Sequence, residues 1–495
     1  MRAERRQLIL GWGLVATVLA GVWSLSLVSS SRPANTWAVA PAPAPGADAV
    51  PEAVPAAADP QTRPSEPPPS VPPPPPKPQP TLRDRIGIVA IDARLGDKAP
   101  TGRGVPFGHV EGGPGDYTPD LKATRYAGVK MHPLSGTSKT NGHADSTARI
   151  IYGAAGLASG VSDVHFYTTH DFMGPRCLLL GANRPPQPNG RRIFTHSWIG
   201  GQGGYVEQVL RRVDFLVDHH DVLFVVGVNN GKDKPVPELL GSGYNSIAVG
   251  NTNGNSSGGY TVYDEPGRCK PDIVAPQTLT SFSTPVVAAV CARLLETADR
   301  MDDSSPDAGR SEVIRAVLYA GAEKPAGWQS AAGKPLDEHL GAGSVRYDHS
   351  YDILAAGPNP PGNLTSRYGW DFQSLGLDAA HDYTFDSPAE LVEVSLMLVW
   401  NRHIDGRMLK DLFTQEQRWT STPSLAELHL KLYRRDADGK EEPIAVSASA
   451  VDNLQHIYRA QLPAGRYRIQ VARVDKLGGE WDYALAWRMN EAPAP

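Results

Sequence analysis

The apolar run from Val286 to Leu295 constrains the fold of this 495-residue chain more than any other stretch. Arg293 is its only charged residue, so a helix formed here has no face suited to water and must be buried. The run directly follows Thr280–Pro285, which places Ser281 at the start of the helix. The first N–H groups of a helix are free, and its positive dipole end points at such a residue. The position suits a nucleophile that becomes an anion, and helix capping by Ser281 is the alternative interpretation.

The overall composition excludes some classes of protein. A chain of this length suggests about three segments, and its net charge of -5 shows no basic excess, so we expect no nucleic-acid partner. The three cysteines are an odd number without metal-ligand spacing. Cys291 is expected to be buried in the apolar helix. A bridge between Cys177 and Cys269 stays open as a possibility in an oxidising compartment.

The N-terminal sequence predicts export. Arg2, Arg5 and Arg6 precede Leu8–Val28, a run of 21 residues without a charge that is long enough to span a bilayer. This order predicts an N-terminus inside, with residues 1–28 as a membrane anchor and the remainder of the chain outside. The alternative is a secretory signal peptide that ends near Ala38–Ala40. The body of the protein is exported in both cases, either anchored or secreted.

Two changes in composition divide the rest of the chain. Residues 29–80 are mostly Pro and Ala and include the uninterrupted proline run Pro72–Pro76, which predicts a Pro-rich linker without a core. A second boundary lies at Gly357–Gly362, where the sequence reads Gly-Pro-Asn-Pro-Pro-Gly. We therefore expect two folded domains, at residues 81–357 and 363–495.

The first of these domains alternates between predicted strands and helices. The expected strands are Val105–Glu111, Asp163–Thr168, Arg192–Ile199, Val222–Val228 and Ser246–Gly250, and the expected helices are Ala148–Gly160, Val206–Asp218 and Glu312–Ala320. Strand, helix and strand in succession are typical of an α/β fold with a doubly wound parallel sheet.

The second domain has the alternating pattern of half-buried antiparallel strands. Leu428, Leu430 and Leu432 alternate with polar residues, and the same period recurs at 467–471 and 483–487. Residues 484 and 486 are alanines and so less polar than the pattern requires. The pattern predicts an all-β sandwich of about 130 residues.

Polar residues gather where the predicted strands of the first domain end. Glu111 ends one strand, Asn229 follows another, and His143 opens a helix. Because the carboxyl ends of parallel strands share one edge of a sheet, these side chains are expected near Ser281. An acid, a histidine, an amide and a serine are the parts of a serine hydrolase. Asp92, which also follows an apolar run, is the alternative acid, and we favour Glu111 because its flanking residues fit better.

These segments resemble motifs of the subtilisin-like serine proteases. Thr280–Pro285 is similar to the family's G-T-S-x-A-T-P, and Lys270–Pro276 to K-P-D-I-x-A-P. His143–Ile151 is similar to H-G-T-x-V-A-G-I-I, and Val226–Gly231 to A-A-G-N-x-G. Thr101–Leu121 resembles T-G-x-G-V, I-D-T-G and H-P-D-L in that order.

The resemblance implies a subtilisin-like fold and a serine endopeptidase that hydrolyses peptide bonds through an acyl-enzyme. It assigns Ser281 as nucleophile, His143 as general base, Glu111 as orienting acid and Asn229 as oxyanion donor. A protein or peptide is the expected substrate and no cofactor is expected, while the metal content and oligomeric state stay open. The sandwich, in particular Leu462–Val471, resembles domains that follow the catalytic domain in exported proteases.

Three departures from the family pattern motivate a second hypothesis. The acid is Glu111 where the family has Asp, so the histidine must lie farther from the strand or the longer side chain must fold back. Leu279 stands where the nucleophile motif has Gly, and the segment between Pro276 and Ser281 is short. The alternative function is therefore a weak or inactive relative that binds proteins at the cell surface.

Overall fold

The computed structural model describes residues 79–113, 115–201, 203–410 and 417–491. The predicted anchor at 1–28 and all but the last two residues of the linker at 29–80 lie outside these ranges. In the part of the chain that is described, no helix is both long and apolar enough to cross a membrane. Residues 77–495 belong to one compact unit.

Eight α-helices are described, and three of them match the helices expected at 206–218, at 312–320 and in the apolar run after Ser281. Their bounds are α1 (Leu82–Arg85), α2 (Ile88–Leu95), α3 (Gly142–Ile151), α4 (Thr169–Asp171), α5 (Val206–His220), α6 (Thr280–Asp299), α7 (Ser311–Ala320) and α8 (Tyr347–Ala355). The helix expected at 148–160 starts and ends earlier, as α3. Tyr152 is already extended and Gly153 follows with a φ of 88°, a left-handed conformation that stops the helix.

A seven-stranded sheet forms the centre of the first half, and every neighbouring pair in it is parallel. Its strands are β1 (Phe107–Glu111), β2 (Lys130–Pro133), β3 (Asp163–Thr168), β4 (Ile193–His196), β5 (Leu223–Gly227), β6 (Ile247–Asn251) and β9 (Ile273–Ala275). Between β6 and β9, β7 (Gly259–Tyr260) and β8 (Cys269–Lys270) form a separate short hairpin. The order of the strands in the sheet is β2-β3-β1-β4-β5-β6-β9. The predicted α/β parallel sheet is therefore confirmed.

Helices cover both faces of this sheet. On one face α6 packs with α3 and α7 over apolar side chains such as Phe166 and Val225. On the other face α5 packs over Phe194 and Phe224. All ten residues of the run Val286–Leu295 are buried, as the apolar sequence requires.

The second half consists of two packed sheets and a separate two-stranded hairpin, and its strand pairs are antiparallel apart from one short parallel pair. The strands are β10 (Gly362–Asn363), β11 (Tyr368–Leu375), β12 (Ala380–Ser387), β13 (Leu391–Val399), β14 (His403–Lys410), β15 (Gln417–Ser424), β16 (Leu428–Arg435), β17 (Glu441–Ser447), β18 (Leu454–Arg459), β19 (Gly465–Arg473) and β20 (Trp481–Glu491). One sheet has the order β10-β12-β19-β16-β17 and the other β11-β20-β13-β18. Side chains from both sheets share a core, so the predicted β-sandwich is confirmed.

The four-stranded sheet of the sandwich is covered on both faces. Its inner face packs on the other sheet, while Ala484 and Ala486 on its outer face join the core formed with α7 and α8. This second contact explains why β20 does not alternate with polar residues. The two halves are continuous through a shared apolar core.

A buried ion cluster also joins the two halves. Arg402, which precedes β14, contacts Asp214 of α5 at 2.5 Å and Asp264 at 2.5 Å. All three side chains are almost fully buried. Nearby, Asn401 donates to Glu312 of α7 at 2.6 Å. Charges buried this deeply are tolerated only when they are paired.

The three cysteines are unpaired and buried. The bridge considered between Cys177 and Cys269 is therefore not formed. Cys269 lies 3.7 Å from two backbone carbonyls, and Cys177 accepts a hydrogen bond from Asn189. The expectation that Cys291 is buried in α6 is confirmed.

Candidate active site

Glu111 is the last residue of β1, between β3 and β4 near the centre of the sheet. Its side chain is only 4% exposed. The backbone N–H of Gly112 donates to its Oε1 at 3.0 Å, so the side chain folds back over the end of its own strand. Of the two ways to accommodate the longer acid, the side chain adopts this one.

His143 is the second residue of α3, and the N-cap of this helix is Asn141. The Asn141 side chain accepts from the N–H groups of His143 and Ala144, which fixes the start of the helix. Nδ1 of His143 lies 2.8 Å from Oε1 of Glu111. Since a carboxylate only accepts, Nδ1 carries the proton and Nε2 keeps a free lone pair.

The two groups shift each other's pKa. The hydrogen bond to Glu111 raises the pKa of His143, although burial opposes the shift. For Glu111, burial favours a higher pKa, but the polar contacts of His109 and His143 outweigh it and lower the pKa. The pair therefore favours a carboxylate next to an imidazole that readily takes up a proton.

Asp92, the alternative acid, lies elsewhere. It belongs to helix α2 and is paired with Arg83 at 2.6 Å and with Arg293 at 3.0 Å. The apolar run before it is part of a helix and not a strand, so it does not end at the edge of the sheet. Asp92 is thus a structural ion-pair residue.

Ser281 is the second residue of α6, and it does not cap that helix. Leu279 occupies the N-cap position, and the side chain of Asn230 accepts from the N–H of Thr280 at 2.9 Å. The capping interpretation of Ser281 is therefore wrong. Leu279 has the extended φ of −128°, which any residue adopts, so the departure from Gly at this position costs no backbone strain.

Ser281 differs from the other hydroxyl residues of its motif. Thr280 donates to Asn230, Ser283 to Asn251 at 2.7 Å, and Thr284 to the carbonyl of Thr280. Ser283 is fully buried, whereas Ser281 is half-buried. Among the described residues, the Ser281 hydroxyl is the one in this motif that makes no hydrogen bond.

The residue after Ser281 brings the nucleophile motif against the histidine. The ring of Phe282 stacks on His143 with 6.5 Å between centroids. The carbonyl of Ser281 is held by the Ser197 hydroxyl at 3.0 Å. Within the described chain no hydrogen bond joins the Ser281 hydroxyl to His143, and such bonds are often long in a ligand-free site.

Asn229 follows β5 and is half-buried. Its backbone N–H donates to Ser257 at 3.0 Å, and its side-chain amide donates to the carbonyl of Pro235 at 2.8 Å. An amide has two N–H groups, so one is left for a ligand. The residue that touches the start of α6 is its neighbour Asn230, which the sequence interpretation did not single out.

His109 is a second residue that the sequence interpretation missed. It is buried two positions before Glu111, on the same face of β1. Its Nε2 lies 3.2 Å from the Thr147 hydroxyl on α3 and 3.8 Å from Oε2 of Glu111, and its Nδ1 lies 2.9 Å from the hydroxyl of Tyr152. His109 thus links the strand that carries the acid to the helix that carries His143. The spacing of two in a strand was the signal available in the sequence.

Residues 118–343 match the model of the subtilase family. This part of the chain is a subtilase domain. The matched range includes His143, Asn229 and Ser281 and begins after Glu111. No curated protein matches the chain.

Three solved structures are similar to parts of this chain. A protease from Pseudoalteromonas arctica is 15% identical over 54% of this chain and 94% of its own, with a TM-score of 0.35. Fervidolysin from Fervidobacterium pennivorans, described as a keratinolytic enzyme related to subtilisin, is 13% identical over 77% of this chain and 71% of its own, with a TM-score of 0.34. The pre-peptidase C-terminal domain of a Bacillus anthracis collagenase is 14% identical over 26% of this chain and 93% of its own, with a TM-score of 0.17. The family assignment rests on residues 118–343.

Proposed function

We propose that this subtilase is a serine endopeptidase in which Ser281, His143 and Glu111 act together. The observation that carries the proposal is the uncommitted hydroxyl of Ser281 at the start of a buried helix. The next residue, Phe282, stacks on His143, which Glu111 holds at 2.8 Å. Family membership supports peptide hydrolysis as the reaction class. Protein or peptide chains are then the substrates.

In the proposed reaction Ser281 Oγ attacks the scissile carbonyl carbon while Nε2 of His143 takes up its proton. The carbonyl oxygen becomes an anion, which the free amide N–H of Asn229 and the N–H of Ser281 stabilise. His143 then returns the proton to the leaving amine as the C–N bond breaks. Water releases the acyl group by the same route, and the Glu111 carboxylate stabilises the imidazolium throughout.

A fluorophosphonate probe tests the proposal directly. We expect covalent labelling of the full chain at Ser281, and its loss in both Ser281→Ala and His143→Ala. Ser304→Ala is the matched control, because Ser304 is an exposed serine just beyond the far end of α6. A folded protein that never labels would exclude the peptidase and favour the alternative, a weak or inactive relative that binds proteins through the same cleft.

We further propose that the folded part lies outside the cytoplasm, attached through Leu8–Val28 or released after cleavage. The three arginines before that uncharged run support this orientation. We expect protease added to intact cells to digest the folded part. Full protection of the folded part in intact, unlysed cells would contradict it.

A further inference from the structure

A second group of metal-ligating side chains lies at the edge of the parallel sheet. Within the described ranges, His132, Asp163 and His165 each offer one ligand atom, and these three atoms lie within 4.8 Å of one another. We call this group the edge cluster. It belongs neither to the candidate active site nor to the sandwich.

The strand register produces the edge cluster. Strand β2 lies at the edge of the sheet and pairs only with β3, where His132 stands opposite His165. Asp163 lies two residues before His165, so both point to the same face of β3. The one residue between them on β3, Val164, points into the core on the other face. Backbone hydrogen bonds therefore fix the three ligand positions in advance.

The neighbouring groups orient the ligands. Nε2 of His132 is 3.2 Å from Oδ1 of Asp163, while Oδ2 of Asp163 is taken by Arg191 at 2.7 Å. Arg191 thus holds the carboxylate with Oδ1 directed to the histidines. The Tyr167 hydroxyl lies 3.1 Å from Nδ1 of His165. When Nδ1 donates this bond, Nε2 keeps its lone pair for a metal, the arrangement usual around metal-bound histidine.

We propose that the edge cluster binds one divalent transition-metal ion of the zinc class, through His132, Asp163 and His165. Two imidazoles and one carboxylate are a donor set that suits Zn²⁺, with a fourth position for water. The three ligand atoms lie within 4.8 Å of one another. Tetrahedral zinc needs them about 3.3 Å apart, so the distances between them shorten by up to about 1.5 Å on binding. The exposed ring of His132 has the freedom to do this. The bound ion ties the edge strand β2 to β3.

Calorimetric titration of the full chain with Zn²⁺ tests the proposal, using protein without a histidine tag that has been stripped with a chelator. We expect one equivalent per chain, and a melting temperature that rises with Zn²⁺ concentration because the ion binds only the folded state. Separate substitutions His132→Ala, His165→Ala and Asp163→Asn should each weaken binding more than about tenfold, since even the loss of an outer-shell partner costs that much.

His170→Ala is the matched control, because His170 is an exposed histidine five positions after His165 and outside the edge cluster. It should leave both the affinity and the thermal shift unchanged. His132 is also exposed, so its substitution leaves the fold intact, and an unchanged melting temperature without metal checks this. Absent saturable binding, or binding that survives loss of both histidines, would overturn the proposal. The outcome does not depend on whether Ser281 is a nucleophile.

Discussion

Glu111 takes up its extra methylene by bending back over its own strand, where Gly112 and His143 share Oε1. One oxygen therefore bonds the histidine and the backbone at once, while Oε2 is buried and makes no hydrogen bond. The folded-back carboxylate lies 2.8 Å from Nδ1 of His143. The substitution of Glu for Asp is thus a local change of side-chain path.

The raised pKa of His143 predicts the pH dependence of hydrolysis. His143 must be neutral to accept the Ser281 proton, so kcat/KM should rise as pH increases through its pKa, which lies above the usual value of about 6.5. In Glu111→Gln the carboxylate that favours the imidazolium is gone, so the acidic limb should move to lower pH. Turnover should fall as well, by up to about 10⁴-fold.

The pH profile of peptide hydrolysis measures the rise of kcat/KM with pH. NMR titration of His143 in a Ser281→Ala background measures the change in its pKa caused by Glu111→Gln, and it needs no activity. Glu207→Gln, at an exposed glutamate of α5, is the control and should change neither. An acidic limb that stays in place in Glu111→Gln would show that Glu111 does not act on His143.

At the scale of elements, strand β1 places His109 and Glu111 on one face, because they are alternate residues of the strand. We expect His109 to act as a positioning residue, since it is buried and contacts Glu111 and Thr147. His109→Leu should lower kcat by about 10²-fold, as small misplacements in an active site do, with little change in KM. His109→Gln keeps an N–H donor of similar reach and should recover most of the rate.

The comparison of these two variants separates positioning from packing. Both fill the buried space with a side chain of similar size, so a purely space-filling role predicts equal rates. Loss of His109 also removes a contact that lowers the pKa of Glu111, so the acidic limb should change in His109→Leu. Equal rates and equal pH profiles would contradict a positioning role.

The sequence predicted the central strands of the sheet well because strands buried on both faces are continuous apolar runs. Edge strand β2, with Lys130 and His132, lacks that signal and was missed. Helix α2 was missed for another reason, since its apolar residues resemble a short strand and only packing decides between them. The proximity of Glu111 and His143 could be predicted, because functional groups gather at the carboxyl ends of parallel strands. The fold-back of Glu111 depends on side-chain torsions that no sequence pattern encodes.

For the whole molecule, the buried cluster of Arg402 makes the stability of the two halves interdependent. Arg402→Met leaves Asp214 and Asp264 buried without their cation, which should cost about 3–5 kcal/mol. Urea unfolding should show a lower midpoint, with one transition for the whole unit. Arg407→Met, in the strand β14 that follows Arg402, is the control, because Arg407 is 72% exposed and water screens its ion pair with Asp405. Two separate transitions in the unsubstituted protein would contradict the interdependence.

Strand β20 has a consequence for the order of events in biosynthesis. It is the last strand that the structure describes, yet it lies between β11 and β13 and packs against α7 of the peptidase half. The apolar core between α7 and β20 therefore cannot close before residues 481–491 have been synthesised and have folded into place. In a nascent chain that lacks these residues, the domain that carries Ser281 and His143 is not yet fully packed. We therefore expect the candidate site to reach its final packing only after β20 has been synthesised.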